Sequence, residues 1–361
     1  MDTPLLISVI LLTAAGFLIF LSASLGLLAR DSVHFGSIAF KQVCFGLVPG
    51  LAALYLTSKF EYMRWRNLAF WAFVLAIALN LIIFIPGVGL NVKGATRWLL
   101  IGSFSFQVSE VLKIGAIMYF AAWLSSIKEQ VRTFKWGLLP LMVMLALVGA
   151  LLLFQPDTDT FVVTAAALVA MYLAAGGSWK HMAIVLLLGV VCFGALAWQR
   201  PYVMARLTAF MHPTDKSLTT GYQTQQSLIA IGSGGLTGRG FGQSLQKFNY
   251  LPEPVGDSIF AVAAEEFGLA GCLMLLGLLV FFIVRCLRIA ARANHSFGGL
   301  MCVGIASFMI VQSYLNIGSM IGIVPLSGIP LLFVSQGGTA LLFALAEAGI
   351  VLNISRFART G

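Results

Sequence analysis

Residues 5–28 read LLISVILLTAAGFLIFLSASLGLL, with no charged side chain in the run. At about 1.5 Å of rise per helical residue, such a run crosses the roughly 30 Å hydrocarbon core of a bilayer. Nine more apolar runs follow, at roughly 36–57, 67–87, 107–125, 136–154, 159–176, 181–199, 258–284, 298–321 and 331–353. The whole chain of 361 residues is 60% hydrophobic and 10% charged, with a mean hydropathy of +0.96. Soluble domains are about 25% charged, so a water-soluble fold is excluded. Backbone polar groups in lipid must be satisfied within the segment, which makes the spans helical. The expectation is an all-α integral membrane protein. It has about ten transmembrane helices forming a single polytopic domain over residues 1–361.

The basic residues set the orientation. Lys59, Arg64, Arg66, Lys128, Arg132, Lys135, Lys180, Arg285, Arg288, Arg292, Arg356 and Arg359 fall on one side, whereas the short loops of the other hold only Arg30, Lys93 and Arg97. The positive-inside rule then puts both termini in the cytoplasm. The net charge of +9 is explained by this loop bias, and no nucleic-acid partner is expected. Cys44, Cys192, Cys272, Cys286 and Cys302 lie in or beside apolar runs without a CxxC or His pairing, so they read as small hydrophobic residues. The N-terminus lacks a basic n-region and a cleavage site, so the first span reads as retained.

Two outward segments are unusual. Residues 200–257, between spans seven and eight, exceed the 2–8 residues or so of ordinary helix connections. This large extracytoplasmic loop reads as ordered, re-entrant or surface-lying, with a short amphipathic helix over Gln225–Ile231 ahead of a glycine run. Residues 88–106 carry Trp98 and the Phe104-Ser105-Phe106 triplet, which suit an interfacial position.

Asp257 closes the long loop at the mouth of an apolar span. A carboxylate where water meets hydrocarbon suits proton abstraction from a lipid-linked substrate. The bland alternative is a helix N-cap shared with Ser258. Glu110 and Lys113, three apart on one helix face, are either a neutralised structural pair or a site for an anionic group. Lys93, Arg97 and Trp98 read as an interface anchor or as a phosphate-binding set. The run Ser233 to Gly242, with Gly235 and Arg239 inside it, is either a set of tight turns or an anion nest of backbone N–H groups. Asp157 and Asp159 read as caps of the sixth span, with cation binding the weaker option. His34, His181, His212 and His295 are scattered without metal-ligand spacing, and no metal site is expected.

Taken in order, these motifs resemble the SEDS family (shape, elongation, division and sporulation proteins, typified by FtsW and RodA). Gly94-Ala95-Thr96-Arg97-Trp98 resembles the family's GARRW. Phe104-Ser105-Phe106-Gln107-Val108-Ser109-Glu110 with Lys113 resembles FSFQPSE–K, and Gln155-Pro156-Asp157 matches QPD. Gly221-Tyr222-Gln223, Gln226-Ser227-Leu228 through Gly235, Gly238-Arg239-Gly240, Leu251-Pro252-Glu253 to Asp257, and Gly337-Gly338-Thr339 continue the likeness almost to the end. The departures are Val255-Gly256 for His-Thr, Asp159 for the glycine of QPDLGT, Gln336 for the Tyr after Ser335, and Glu347 in the last span.

The resemblance implies a peptidoglycan glycosyltransferase of the bacterial cytoplasmic (inner) membrane that polymerises lipid II on the outer face and releases undecaprenyl pyrophosphate. It makes Asp257 the catalytic residue. Lys93, Arg97, Trp98, Glu110, Lys113, Arg206, Gln226, Ser227, Gly235, Arg239, Glu253 and Ser335 become the expected substrate-binding set. Arg97, Lys113, Arg206 and Arg239 are the candidates for the leaving pyrophosphate. It further implies a class B penicillin-binding protein, a transpeptidase, as partner, together with other divisome or elongasome membrane proteins. No cofactor is firmly expected, with a divalent cation left open. The Pro-Glu-Pro and Gly-Gly-Thr variants lean towards the division branch. The competing readings are a lipid II flippase and a non-catalytic scaffold of the division machinery.

Overall fold

The computed structural model describes residues 1–28, 32–92, 95–102, 104–211 and 220–358. Helix α1 (Thr3–Leu28) is followed by α2 (Ser32–Gln42), which runs through a π-helical turn into α3 (Val48–Lys59). Then come α4 (Tyr62–Ile82), α5 (Val108–Ile127), α6 (Leu139–Phe154), α7 (Thr158–Ala174) and α8 (Trp179–Gln199). The second half holds α9 (Pro201–Met211), α10 (Thr220–Gly234), α11 (Ile259–Arg292), α12 (Ser296–Met320) and α13 (Gly338–Arg356). Nine segments among the described residues are long and apolar enough to span a bilayer, and α7 is a shorter apolar helix. Together they make up the ten runs read from the sequence.

Lipid acts as the solvent of this fold, so apolar side chains face outward as well as inward. Trp71, Trp179, Leu186, Leu187 and Trp198 are all exposed. Helix α8 buries almost none of its length, whereas α12 packs against α5, α7 and α11 at the centre. Close approach between helices relies on small residues. A Cβ at Gly349 of α13 would stand 2.0 Å from Thr57 Oγ1 and 2.5 Å from Leu54 O on α3. The Thr57 hydroxyl also donates to Ala346 O at 2.9 Å.

Four expectations change. The chain is not purely helical: β1 (Gly89–Val92), β2 (Ala95–Ile101) and β3 (Phe104–Gln107) form an antiparallel sheet where an interfacial loop was expected. Its register pairs Leu90 with Trp98 and Trp98 with Gln107. Second, the described part of residues 200–257 holds more helix than expected: α9 occupies the start, and the short helix expected at Gln225–Ile231 is the middle of α10, while 235–257 is mostly turns. Third, the last span starts at Gly338, not 331, because residues 322–337 are irregular, with Phe333 at φ 65°. Fourth, of the two readings left open for the glycine run, the structure shows turns, and they form a clasp. Helix α11 breaks at Gly268 (φ 63°), freeing backbone groups that hydrocarbon cannot satisfy. Arg239 and Gly240 N–H donate to Glu265 O and Glu266 O at 3.0 and 2.9 Å, while Leu269 and Ala270 N–H donate to Gly235 O and Leu236 O at 2.9 and 3.1 Å. The Arg239 and Gly240 N–H groups are thus taken up by α11, and those of Gly238 and Gly242 donate to Gly234 O and Ser22 Oγ.

A buried ionic cluster locks this clasp. Lys247 is wholly buried, and its Nζ donates to Glu266 Oε1 at 2.6 Å and to Gly242 O at 2.9 Å. Ser22 of α1 donates to the other Glu266 oxygen, and Ser244 to Glu265 Oε2 at 2.6 Å. Leu245 and Gln246 N–H also donate to Glu265, at 3.1 and 3.2 Å.

Glu347 on α13 is the opposite case: it is buried, and neither carboxylate oxygen has a hydrogen-bond partner among the described residues. Two stability measurements in detergent follow. Lys247→Met strands Glu266 and lowers stability by about 3–5 kcal/mol, and the double variant Lys247→Met/Glu266→Gln loses less than the sum of the singles. Glu347→Leu removes an acid without a compensating bond and raises the melting temperature.

Candidate functional site

Asp257 lies in the turn between Leu251 and the first residue of α11. It does not cap that helix. Ser258 takes the N-cap position, and its hydroxyl accepts from Gln223 Nε2 of α10 at 2.9 Å. The Asp257 backbone is held from two directions. Asn316 Nδ2 of α12 donates to Asp257 O and to Ile329 O, both at 2.9 Å. Ser335 Oγ donates to Gly256 O at 2.8 Å, and Gln336 N–H to Val255 O at 2.7 Å. The irregular segment 322–337 is thus a cradle for the acid, and Ser335 belongs to the cradle.

The carboxylate opens on two sides. On one, a cavity of about 400 Å³ is lined by Asp257, Glu253, Trp98, Lys41, Phe45 and Gln336 among others. On the other, three charged groups converge on Gly328. The position of a Cβ there is 3.4 Å from Arg206 Nη2, 3.8 Å from Asp257 Oδ2 and 3.9 Å from Asp159 Oδ2. Arg206 of α9 pairs with Asp159 of α7 at 2.8 Å, and Gly328 N–H donates to the same Asp159 oxygen at 3.1 Å. Arg206 is only partly covered, and its Nη2 and an Asp257 oxygen both lie within 4 Å of that position at Gly328.

Arg97 and Trp98 are neighbours on β2, so they point to opposite faces. Trp98 faces the cavity. Arg97 turns to the Gln155-Pro156-Asp157 corner, where Nε donates to Gln155 O at 3.3 Å, Nη2 to Pro156 O, and Nη1 lies 3.4 Å from Asp157 Oδ1. Burial pushes the Asp157 carboxyl above its usual range, and the Arg97 charge opposes that rise. Asp157 occupies the α7 N-cap position and Asp159 its first turn, where the helix dipole favours the two acids as expected, although Asp157 makes no side-chain cap bond and Asp159 also serves Arg206.

Glu110 and Lys113 form a buried pair, with Lys113 Nζ 2.8 Å from both Glu110 oxygens. Lys113 also stands 3.4 Å from Gln312 Oε1 and 4.2 Å from the centre of the Phe308 ring. Gln312 Nε2 donates onward to Pro330 O at 2.9 Å. The pair therefore reaches the Asp257 cradle through α12, without lining the cavity. Ser227 packs on α12 with its hydroxyl on Gln223 O at 2.8 Å. Gly235 belongs to the clasp, and Arg239 pairs with Glu265 at 3.6 Å. Gln226 is half-buried on α10, and Lys93 lies outside the described residues.

The structure thus gathers Asp257, Glu253, Trp98, Ser335 and Arg206 at one place, and sets the other described candidates elsewhere. Sequence reasoning missed Lys41, Asn316 and the part played by Asp159. Lys41 carried a signal, a cation inside an apolar run; Asn316 carried a weaker one, an amide deep in span nine. Among the described residues no group of three or more His, Cys, Asp or Glu converges as a metal cage requires.

Comparison with known proteins identifies the family and the fold. The FtsW/RodA/SpoVE family profile, described as cell cycle protein, matches residues 2–360. Stage V sporulation protein E of Bacillus subtilis (strain 168) is 35% identical over 361 residues, covering 99% of this chain and 98% of its own length. A probable peptidoglycan glycosyltransferase FtsW of Thioalkalivibrio sp. (strain K90mix) is 37% identical over 364 residues, covering 99% and 90%. The crystal structure of the rod shape determining protein RodA of Thermus thermophilus superposes with a TM-score of 0.73 at 26% identity, over 100% of this chain and 98% of that one. A chain from a peptidoglycan synthase complex, studied for its coordination of polymerization and crosslinking, superposes with a TM-score of 0.82 at 25% identity, over 98% and 97%. The chain belongs to the FtsW/RodA/SpoVE family, the SEDS proteins, and is a multi-pass membrane protein.

Proposed function

We propose that this protein is a peptidoglycan glycosyltransferase that joins lipid II units into glycan strands at the membrane face carrying Asp257. The observation that carries the reading is the convergence of Asp257, Arg206 and Asp159 on Gly328, beside a cavity walled by Trp98, Lys41 and Glu253. Asp257 accepts the proton of the attacking sugar hydroxyl as the new glycosidic bond forms. The bond from the donor sugar to its pyrophosphate breaks in the same step, and undecaprenyl pyrophosphate leaves. Arg206 and Lys41 are the cations placed to take the negative charge that develops on it. Asp159 holds Arg206 in position, and Arg97, committed to the Gln155–Asp157 corner, keeps the sheet against α7.

The reading extends to surroundings. The face bearing Asp257 is the outer one, and both termini lie in the cytoplasm of a bacterium whose inner membrane holds the protein; the arginines at the far end of α11 support this orientation. The partner is a class B penicillin-binding protein that cross-links the product, acting with other divisome or elongasome proteins. The likeness to a synthase complex chain supports such a partnership. FtsW, sporulation and RodA relatives all fit the chain, so a division role is proposed as the first to test.

Purified protein with its transpeptidase, given lipid II, yields polymer on a gel. Asp257→Asn abolishes polymer while leaving the melting temperature unchanged; retained polymer overturns Asp257 as the base. Lipid II translocation in proteoliposomes without any polymer from the wild type would favour a flippase instead. Arg206→Ala and Asp159→Ala each lower kcat/KM by about 10- to 100-fold, and the double variant falls little further, because the two act as one unit. Depletion in cells giving filaments marks division, and spheres mark elongation.

A further inference from the structure

The far end of α11 carries an arrangement that the glycosyltransferase reading does not use. Arg285, Arg288 and Arg292 recur every three or four residues and so share one face of its last turns. With Met1 and Asp2 before α1, Ile289, Ser355 at the end of α13 and Ala358 just beyond it, they wall a cavity of about 350 Å³. Asp2 is the one acid in that wall, and its charge is engaged. It pairs with Arg285, accepts from Leu5 N–H at 2.9 Å, and donates its own N–H to Ser355 Oγ at 2.9 Å. Among the described residues, the Arg288 and Arg292 guanidinium groups form no ion pair or hydrogen bond. Both are exposed at the cavity.

We infer that this cavity binds the phosphodiester headgroup of an anionic membrane phospholipid. Two guanidinium forks, four residues apart on a helix, match phosphate oxygens. Basic pockets between the ends of membrane helices commonly take such headgroups. The surface next to the cavity selects a lipid over a free anion. Phe281 and Val284 on α11, at least one turn deeper than Arg288, and Ile7, Ile10 and Leu11 on α1, more than one turn deeper than Asp2, are exposed apolar side chains. They provide a track for acyl chains below the bound phosphate. Orientation alone would be served by arginines in any loop. It does not require a walled cavity whose single acid is already neutralised. The site is independent of the chemistry at Asp257.

The test uses the full chain reconstituted in nanodiscs of phosphatidylcholine doped with phosphatidylglycerol, followed by detergent release and native mass spectrometry of retained lipid. Wild-type protein retains phosphatidylglycerol in preference to phosphatidylcholine. Arg288→Gln/Arg292→Gln weakens that retention by roughly tenfold, and Arg288→Lys/Arg292→Lys keeps most of it. Should the double Gln variant not fold, the single variants Arg288→Gln and Arg292→Gln each show a partial loss. Equal retention of the two lipids, or undiminished phosphatidylglycerol in the Gln variants, overturns the inference. Displacement of the lipid by an equal concentration of inorganic phosphate also overturns it, since the cavity would then be a site for soluble anions.

Discussion

A charge or an open backbone group placed in hydrocarbon has to be matched by a partner within the same molecule, and this fold is organised around that requirement. Isolated, such a group costs several kcal/mol. Each pairing therefore also fastens two distant parts of the chain. Lys247 and Glu266 fasten the segment after α10 to the kink of α11 and, through Ser22, to α1. Glu110 and Lys113 fasten α5 to Gln312 of α12. Arg97 fastens the sheet to the corner before α7, and Asp159 fastens α7 to α9. The reactive acid inherits its place from these ties.

The same requirement explains why irregular backbone occurs here at all. The break in α11 at Gly268 survives because the glycine run supplies hydrogen bonds in both directions. The irregular stretch 322–337 survives because Asn316, Gln312 and Ser335 cap its carbonyls and amides or those it touches. Non-helical segments at this depth are tolerated where protein surrounds them.

The spans were legible because hydrocarbon thickness writes itself directly into run length. The sequence holds ten apolar runs, and among the described residues nine long spans plus the shorter α7 stand in their places. Boundaries slipped where polar residues continue a helix past the membrane, as at Arg292, or where apolar residues leave it, as at 331–337. The sheet was hidden because its strands of four to seven residues look like any amphipathic loop. At the site, Asp257, Trp98 and Arg206 could be read from residue type and order. The Asp159 role could not, because its partner is 47 positions away and only the fold brings them together. Nor could the fate of the glycine run: a composition suited to binding an anion suits equally well a backbone pressed against another backbone.

Asn316 bonds at once to Asp257 and Ile329, and one turn earlier Gln312 bonds to Lys113 and Pro330. One rigid rod thus carries both the reactive turn and the buried ion pair. A slight roll of α12 about its own axis would be felt at both places together.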